Sequence, residues 1–281
     1  MEIIKRDGRL EPFDISKIEN AIAKALASTG EDRPSTLALS LAEKTAAALD
    51  PGRQWSVEEI QDKVEEALMS SGEFQTARNY ILFRSQRSER RSERQRLWGY
   101  LQLDGLDAVL EDIQREFPGD EYSLSVLCDK FIAFSKEDMD EDERLEALIR
   151  AAVELTRPEA PRWEFIASRF LLFSFRRKLS ARLGGMNISS FYDKIRYLTD
   201  EGLYGDYILK GYTESEIREA ESYIDENRDH LFTYSGLDLL IRRYLIHTHR
   251  HEAVETPQEM FLGIALHLAL LEKEGRMGYV K

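Results

Sequence analysis

Residues 3–14 read IIKRDGRLEPFD: two apolar residues, a charged turn around one glycine, and a second short apolar stretch. The dipeptide Asp7-Gly8 between two such stretches is a strong signal for a two-residue β-hairpin turn. Pro12 has no N–H to donate to a sheet ladder, so the second strand is expected to lie at a sheet edge or to end there. The stretch therefore predicts a small, basic β-hairpin.

Four helices are expected to follow the hairpin. Asp14 is a good N-cap for the first helix, which carries a single apolar stripe. Ser56 is suited to cap the third helix, with Glu59 at the capping-box position. The predicted elements are a helix from 15, a helix over 35–49, a short strand at 54–55, a helix from 57 and a helix after 72.

The composition excludes several classes of protein. A net charge of −13 argues against non-specific nucleic-acid binding, which needs a basic face. The single cysteine, Cys128, rules out a disulfide within the chain or a thiolate zinc site, and its helical position predicts a buried apolar role. No apolar run reaches membrane-spanning length and the first residues do not form a signal sequence. We therefore expect a cytoplasmic protein without a membrane or nucleic-acid partner.

Basic residues occur at both ends of the first ninety residues. Lys5 and Arg6 lie on the hairpin, and Arg84 and Arg87 lie on the fourth predicted helix. Lysine and arginine side chains together with helix N-termini hold the phosphates of a nucleotide, and an aromatic ring suits the base. From these residues alone, ordinary solvated surface charge remains the simpler interpretation.

Three strings, KRDGRLEPFDISKI, SVEEIQDKVEEALM and ARNYILFRSQR, resemble the ATP-cone domain in their order and spacing over residues 2–90. ATP cones are allosteric modules that bind ATP or dATP and are best known from ribonucleotide reductases. The resemblance implies a mainly α fold for residues 1–92, with a hairpin and small three-stranded sheet as a lid over a four-helix bundle. ATP or dATP is the implied effector, together with Mg²⁺.

The resemblance also implies the residues of the nucleotide site. Lys5, Arg6 and Lys17 would hold phosphates, and Glu11 or Asp14 would contact sugar, base or magnesium. Many cones carry Thr or His around the third helix, where this chain departs with Val57 and Gln61. The complete predicted nucleotide-binding set is Ile3, Lys5, Arg6, Glu11, Phe13, Asp14, Lys17, Ile18, Val57, Gln61, Tyr80, Phe83, Arg84 and Arg87, with no catalytic and no metal-binding residue.

The four-helix rhythm recurs over residues 93–182. Helices are predicted over 105–117, 123–135, 140–156 and 161–179, after a charged helical extension at 86–96. Residues 77–87 match residues 167–177 at a constant offset, which indicates either an internal repeat or two similarly packed apolar helices. Residues 102–106 read QLDGL, without a lysine or arginine. We expect this unit to bind no nucleotide and to serve a structural or self-association role.

The last hundred residues, 183–281, show a different pattern. The segments at 160–179, 212–245 and 255–269 resemble sequence before and into the catalytic ten-stranded α/β barrel of class I ribonucleotide reductase large subunits. In that family the radical cysteine and the reducing cysteine pair come later. The resemblance implies a truncated barrel, an inactive chain by itself, and either a shortened or a naturally split large subunit.

Two further clusters invite a metal interpretation. His247, His249 and His251 share one face if the segment is a strand, but RYLIHTHRHEAVETP is more typical of an exposed hairpin. The acidic run at 137–143 lacks the glycine and spacing of a calcium loop. It is more simply the charged first turn of a helix.

Three functions remain open at this point. The preferred one is the allosteric N-terminal region of a ribonucleoside-diphosphate reductase large subunit, in which ATP or dATP switches activity through oligomerisation. Its partners would be other large subunits, a radical-generating small subunit and the catalytic remainder of the large subunit. The alternatives are a cone-bearing transcriptional repressor, which normally has a four-cysteine zinc ribbon, and a free-standing interaction adapter.

Overall fold

The computed structural model describes residues 1–6, 8–30, 35–186, 188–272 and 275–281. The fold is mainly α, as predicted. It divides into two compact units, Met1–Arg91 and Ser92–Lys281. The elements that begin in the first unit are the strands Glu2–Ile4 (β1), Leu10–Pro12 (β2) and Trp55–Ser56 (β3) and the helices Ile15–Ala27 (α1), Ser35–Ala47 (α2), Val57–Ser70 (α3) and Phe74–Leu101 (α4).

A small mixed sheet has the strand order β2-β1-β3 in the described residues. β1 pairs antiparallel with β2, where Ile3 lies opposite Glu11, and parallel with β3, where Ile3 lies opposite Trp55. Pro12 is the last residue of the edge strand β2, so its missing N–H costs no ladder bond. The hairpin, the edge position and the third strand are confirmed.

The hairpin turn differs from the two-residue turn that the sequence predicts. The N–H of Gly8 donates to the carbonyl of Lys5 at 2.9 Å, and the Lys5 N–H donates to the carbonyl of Arg9 at 2.8 Å. Gly8 has a φ of 82°, so the glycine follows the hydrogen-bonded turn in the left-handed region, as in longer hairpin loops. Asp7, the other predicted turn residue, lies outside the described residues.

Side-chain caps begin two helices of the first unit at the predicted places. The Asp14 carboxylate accepts from the Ser16 N–H at 3.0 Å at the start of α1. Ser56 and Glu59 form a reciprocal capping box at the start of α3. The buried residues of α1 are Ile18, Ile22, Ala25 and Leu26, and they pack into one core with Trp55, Val64, Leu68 and Tyr80.

The fourth helix and the charged extension form a single element. α4 spans 28 residues, and the QRSERRSERQR run at 86–96 lies within it. Most residues of this run are exposed or half-buried, as expected for a solvated helix. The boundary between the two compact units falls inside α4.

The second unit is also built from helices. Those predicted over 105–117, 123–135, 140–156 and 161–179 are confirmed, and the last of them extends to Gly185. The helices are Leu106–Glu116 (α5), Leu124–Phe134 (α6), Glu141–Glu154 (α7), Trp163–Gly185 (α8), Phe191–Asp200 (α9), Tyr207–Gly211 (α10), Glu214–Glu221 (α11), Tyr234–Arg243 (α12), Pro257–Leu268 (α13) and Arg276–Val280 (α14), with 3-10 turns at Asp120–Tyr122, Glu226–Leu231 and Ala269–Leu271.

The second unit contains more than one hydrophobic core. The first core joins the end of α4 to α5–α8 and includes Trp163 and Phe131. Cys128 is fully buried in it, as predicted, and burial raises the pKa of its thiol. A second core joins α9–α11 to α13 and α14. The predicted boundary between residues 182 and 183 stays a prediction.

Both clusters with possible metal ligands have a structural role. His247 and Ala253 form an antiparallel bridge, so the histidine segment is a short hairpin. Asp140 caps α7, whose first turn contains the predicted acidic residues. Among the described residues, no group of three His, Cys, Asp or Glu side chains is placed to hold a metal ion. No helix in the same residues has the length and apolar character to cross a membrane.

Candidate nucleotide site

A cleft of ≈ 330 Å³ lies within the first unit, between the hairpin, α1, α3 and α4. Its volume falls in the usual range for small-molecule sites. Six of its lining residues belong to the predicted set: Arg6, Gln61, Tyr80, Phe83, Arg84 and Arg87. The others were not predicted: Ala21, Lys24, Ala25 and Arg91.

Cationic side chains dominate the lining of this cleft. Among the described residues, four arginines and one lysine line it, and no carboxylate does. Guanidinium and ammonium groups are the side chains that bind phosphate oxygens through charge-assisted hydrogen bonds. The cleft is therefore suited to a polyanion.

α4 provides half of the lining from one face. Residues 80, 83, 84, 87 and 91 recur every three or four positions, so their side chains lie on the same side of the helix. Tyr80 is 8% exposed and packs into the core, and burial raises its pKa to about 12. Phe83 is 46% exposed, so its ring remains available for stacking on a base.

Arg6 connects the hairpin to α3. Its Nε donates to Glu58 at 2.5 Å, and its Nη2 lies 3.5 Å from the side-chain oxygen of Gln61. Partial burial would raise the pKa of Glu58, but the hydrogen bond and charge of Arg6 outweigh it and lower that pKa. Glu58 is therefore ionised at neutral pH and holds the hairpin against the cleft.

Arg84 is held by carboxylates of α3. Its guanidinium lies 2.5 Å from Asp62 and 2.8 Å from Glu65, with Glu58 at 3.4 Å. Burial opposes its charge, but the hydrogen bonds to Glu65 and Asp62 prevail and raise the pKa of Arg84. Because its positive charge is already compensated, the main contribution of Arg84 is to join α3 to α4.

Lys24 and Arg87 differ from Arg84. In the part of the chain that the structure describes, neither side chain forms a hydrogen bond or an ion pair. Both side chains are exposed and line the cleft from α1 and α4. An anion in the cleft would meet these two cations without first displacing an internal carboxylate.

The other predicted residues lie outside the lining of this cleft. Glu11 accepts from Lys5 at 3.2 Å and from Lys17 at 3.3 Å, and the bond from Lys5 is the main reason that the pKa of Glu11 is lowered. Hydrogen bonds from Ser16 lower the pKa of Asp14, which caps α1. The remaining predicted residues pack in or against the core or at the start of α3: Ile3, Phe13, Ile18 and Val57. Their roles in binding stay predictions.

Lys24 is the main lining residue that sequence reasoning missed. It lies on α1 between Ala21 and Ala25, and all three line the cleft. The sequence does carry a signal for this residue: two alanines beside one lysine on a helix face leave open space next to a cation. Its significance depends on α1 facing α4, which only the fold shows.

Comparison with known proteins places these features in a family context. Residues 1–89 match the family profile of the ATP cone domain, and residues 230–281 match that of the ribonucleotide reductase all-alpha domain. The ribonucleoside-diphosphate reductase subunit alpha of Treponema pallidum is 43% identical over 100% of this chain and 34% of its own length. The subunit alpha of Chlamydia pneumoniae is 28% identical over 97% of this chain and 29% of its own. The ribonucleoside-diphosphate reductase 1 subunit alpha of Escherichia coli is 30% identical over 48% of this chain and 18% of its own length. The chain therefore spans at most 34% of the length of these relatives.

Proposed function

The chain combines an ATP cone domain with all-alpha-domain sequence of a ribonucleotide reductase alpha subunit, and on that premise we propose that it is the allosteric N-terminal region of such a subunit. ATP or dATP is the effector, and the cleft of the first unit is where it binds. The observation that carries the proposal is a nucleotide-sized cleft whose lining, in the part of the chain that the structure describes, contains five cationic residues, two aromatic residues and no carboxylate.

The residues of the cleft suggest how a nucleotide would lie in it. Phosphates would approach Lys24 and Arg87, which form no hydrogen bond or ion pair among the described residues, with Arg6 joining them from the hairpin. The base would stack on the exposed ring of Phe83. A magnesium ion would arrive on the phosphates, because none of the described residues that line the cleft is a carboxylate able to hold the ion beforehand.

An effector changes activity only if it binds two states of the protein unequally. α4 offers a route for such coupling, since it carries the cleft residues and also the exposed apolar side chain of Leu82, which lies outside the cleft lining. We propose that an occupied cleft alters how this surface associates with a second alpha subunit or with the radical-generating small subunit. The reduction of ribonucleoside diphosphates would take place in a catalytic part of the large subunit.

Isothermal titration calorimetry with ATP and dATP tests the nucleotide site. Replacing Arg87 by Gln removes a charged hydrogen-bond donor, for which we expect a roughly tenfold or greater loss of affinity. Arg78→Gln is the matched control, because Arg78 is exposed on the same helix and does not line the cleft. A complete absence of heat from both nucleotides would refute the site and favour an interaction adapter.

Sedimentation velocity tests the proposed switch separately. We expect the parent chain, studied with its small subunit and catalytic part, to change its oligomeric state with ATP or dATP. The Arg87→Gln variant should require a higher nucleotide concentration for the same change. Nucleotide binding without any change in sedimentation would contradict the switch while leaving the site intact.

A further inference from the structure

Three of the arginines that line the first cleft interact with one carboxylate, Glu58 of α3. The Glu58 Oε1 accepts a hydrogen bond from the Arg6 Nε at 2.5 Å, and the Glu58 Oε2 lies 3.4 Å from the Nη2 of Arg84. Burial raises the pKa of Glu58, but Arg6, Arg84 and Arg91 together lower it below its usual value. Glu58 itself is not among the lining residues. It therefore competes, from outside the lining, with an anion in the cleft for the same cations.

We propose that Glu58 is an electrostatic latch of the effector site, which a nucleotide opens by drawing Arg6 from the carboxylate to its phosphates. This inference rests on the proposed function, because it concerns the regulation of the same nucleotide site. Carboxylate and phosphate oxygens bind a guanidinium through the same charge-assisted hydrogen bonds. The Arg6–Glu58 pair and an Arg6–phosphate pair are thus alternatives, and Glu58 sets how much binding energy the exchange leaves.

Arg6 is placed where its side chain can change partner without disturbing the sheet. The Lys5 N–H donates to the Arg9 carbonyl at 2.8 Å, and Arg6 follows Lys5 in the turn that this bond closes. The side chain of Arg6 is 40% exposed and lines the cleft. A reorientation of this side chain therefore breaks no backbone hydrogen bond of the hairpin.

Glu58 keeps a cation beside it when Arg6 leaves. The guanidinium of Arg84 stays at 3.4 Å from Glu58, because Asp62 at 2.5 Å and Glu65 at 2.8 Å hold it in place. The side chain of Glu58 is 47% exposed, so water can solvate the oxygen that Arg6 gives up. The exchange avoids the large cost of a buried, unpaired carboxylate, and the latch opens reversibly.

The latch divides the cations of the cleft into two groups. Lys24 and Arg87 form no hydrogen bond or ion pair among the described residues, so they can receive phosphates directly. Arg6 joins only after it has left Glu58. Glu58 therefore lowers the affinity of the site and raises the nucleotide concentration at which the site fills. Since exposed ion pairs are weak, we expect Glu58→Gln to tighten ATP binding by roughly two- to fivefold.

Isothermal titration calorimetry of the whole chain with ATP tests the latch through a double-mutant cycle. Arg6→Gln alone should weaken binding, and Glu58→Gln added to it should bring no gain, because the latch then has nothing to hold. A general effect of removing negative charge would instead tighten binding in both backgrounds. Asp62→Asn is the matched control, since Asp62 lies one turn further along α3 and contacts Arg84. It should bind ATP like the parent.

Several results would overturn the latch. Equal affinities of Glu58→Gln and the parent would show that Arg6 exchanges its partner without cost. A gain of the same size in the Arg6→Gln background or in Asp62→Asn would assign the effect to net charge alone. Weaker binding by Glu58→Gln would show that Glu58 holds Arg6 in the orientation that the nucleotide needs. The proposed function fails separately: with no heat from ATP and the parent chain, the site itself is refuted, whereas a parent that binds isolates the latch.

Discussion

Glu255 makes the stability of the second unit depend on pH near neutrality. The residue is 4% exposed and accepts a hydrogen bond from the Ile246 N–H at 2.8 Å. Burial is the main cause that raises its pKa from 4.5 to about 7, aided by Glu259 and opposed by the Ile246 bond and by Lys194. The folded state therefore holds a proton on Glu255 that the unfolded chain releases above about pH 4.5.

The sign and size of the effect follow from linkage. A carboxyl whose pKa is raised on folding contributes no penalty below its unfolded pKa, and the penalty grows between the unfolded and the folded pKa and is complete above the folded one. At about 1.4 kcal/mol for each pKa unit, this rise costs roughly 3 kcal/mol once both states are ionised. The Glu255→Gln variant keeps a neutral, hydrogen-bonding side chain, so we expect its free energy of unfolding to lack this decline between pH 5 and pH 8.

Urea unfolding at several pH values measures the difference. A Trp55→Phe background leaves Trp98 and Trp163 as fluorescent reporters, and both belong to the second unit. Glu201→Gln, which removes an exposed carboxylate, is the control and should keep the decline of the parent. Parallel stability curves for the parent and Glu255→Gln across this pH range would refute the reasoning.

Two further predictions concern the first unit. Lys24→Gln should weaken ATP binding roughly tenfold in calorimetry. It should not lower the melting temperature, because Lys24 has no partner among the described residues. An affinity equal to that of the parent would exclude a phosphate contact of Lys24. Arg84→Gln should destabilise the first unit by about 1 kcal/mol, or roughly 4–8 °C in Tm, because it leaves Asp62 and Glu65 without their shared partner. Differential scanning calorimetry beside Arg78→Gln measures this, and an unchanged melting temperature would show that the α3–α4 contact does not depend on Arg84.

Short-range signals explain why the helices could be predicted. Asp14 and the Ser56–Glu59 pair act within three residues of a helix start, so their structural effect is contained in the local sequence. The face of α4 that lines the cleft could also be predicted from the sequence, because residues 80, 83, 84 and 87 have helical spacing. In each case the geometry depends on one element alone.

Contacts between elements were harder to foresee. Lys5 and Glu11 meet because the β1–β2 register places Glu11 opposite Ile3, two residues before Lys5, and Lys17 joins them from α1. Arg84 belongs to the predicted nucleotide-binding set, and the structure adds that three carboxylates of α3 lie within 3.4 Å of its guanidinium. The role of a charged side chain depends on its neighbours across the fold, and no spacing rule within one segment describes them.

The cleft of the first unit has a counterpart of ≈ 630 Å³ in the second unit, between α5 and α8. Both lie between the first and fourth helices of a four-helix group, and both contain a phenylalanine and an arginine at matching positions, which indicates that the helical pair provides the cleft. The chain segments that reach each cleft differ: the hairpin brings Arg6 to the first, and the 3-10 turn brings His230 to the second.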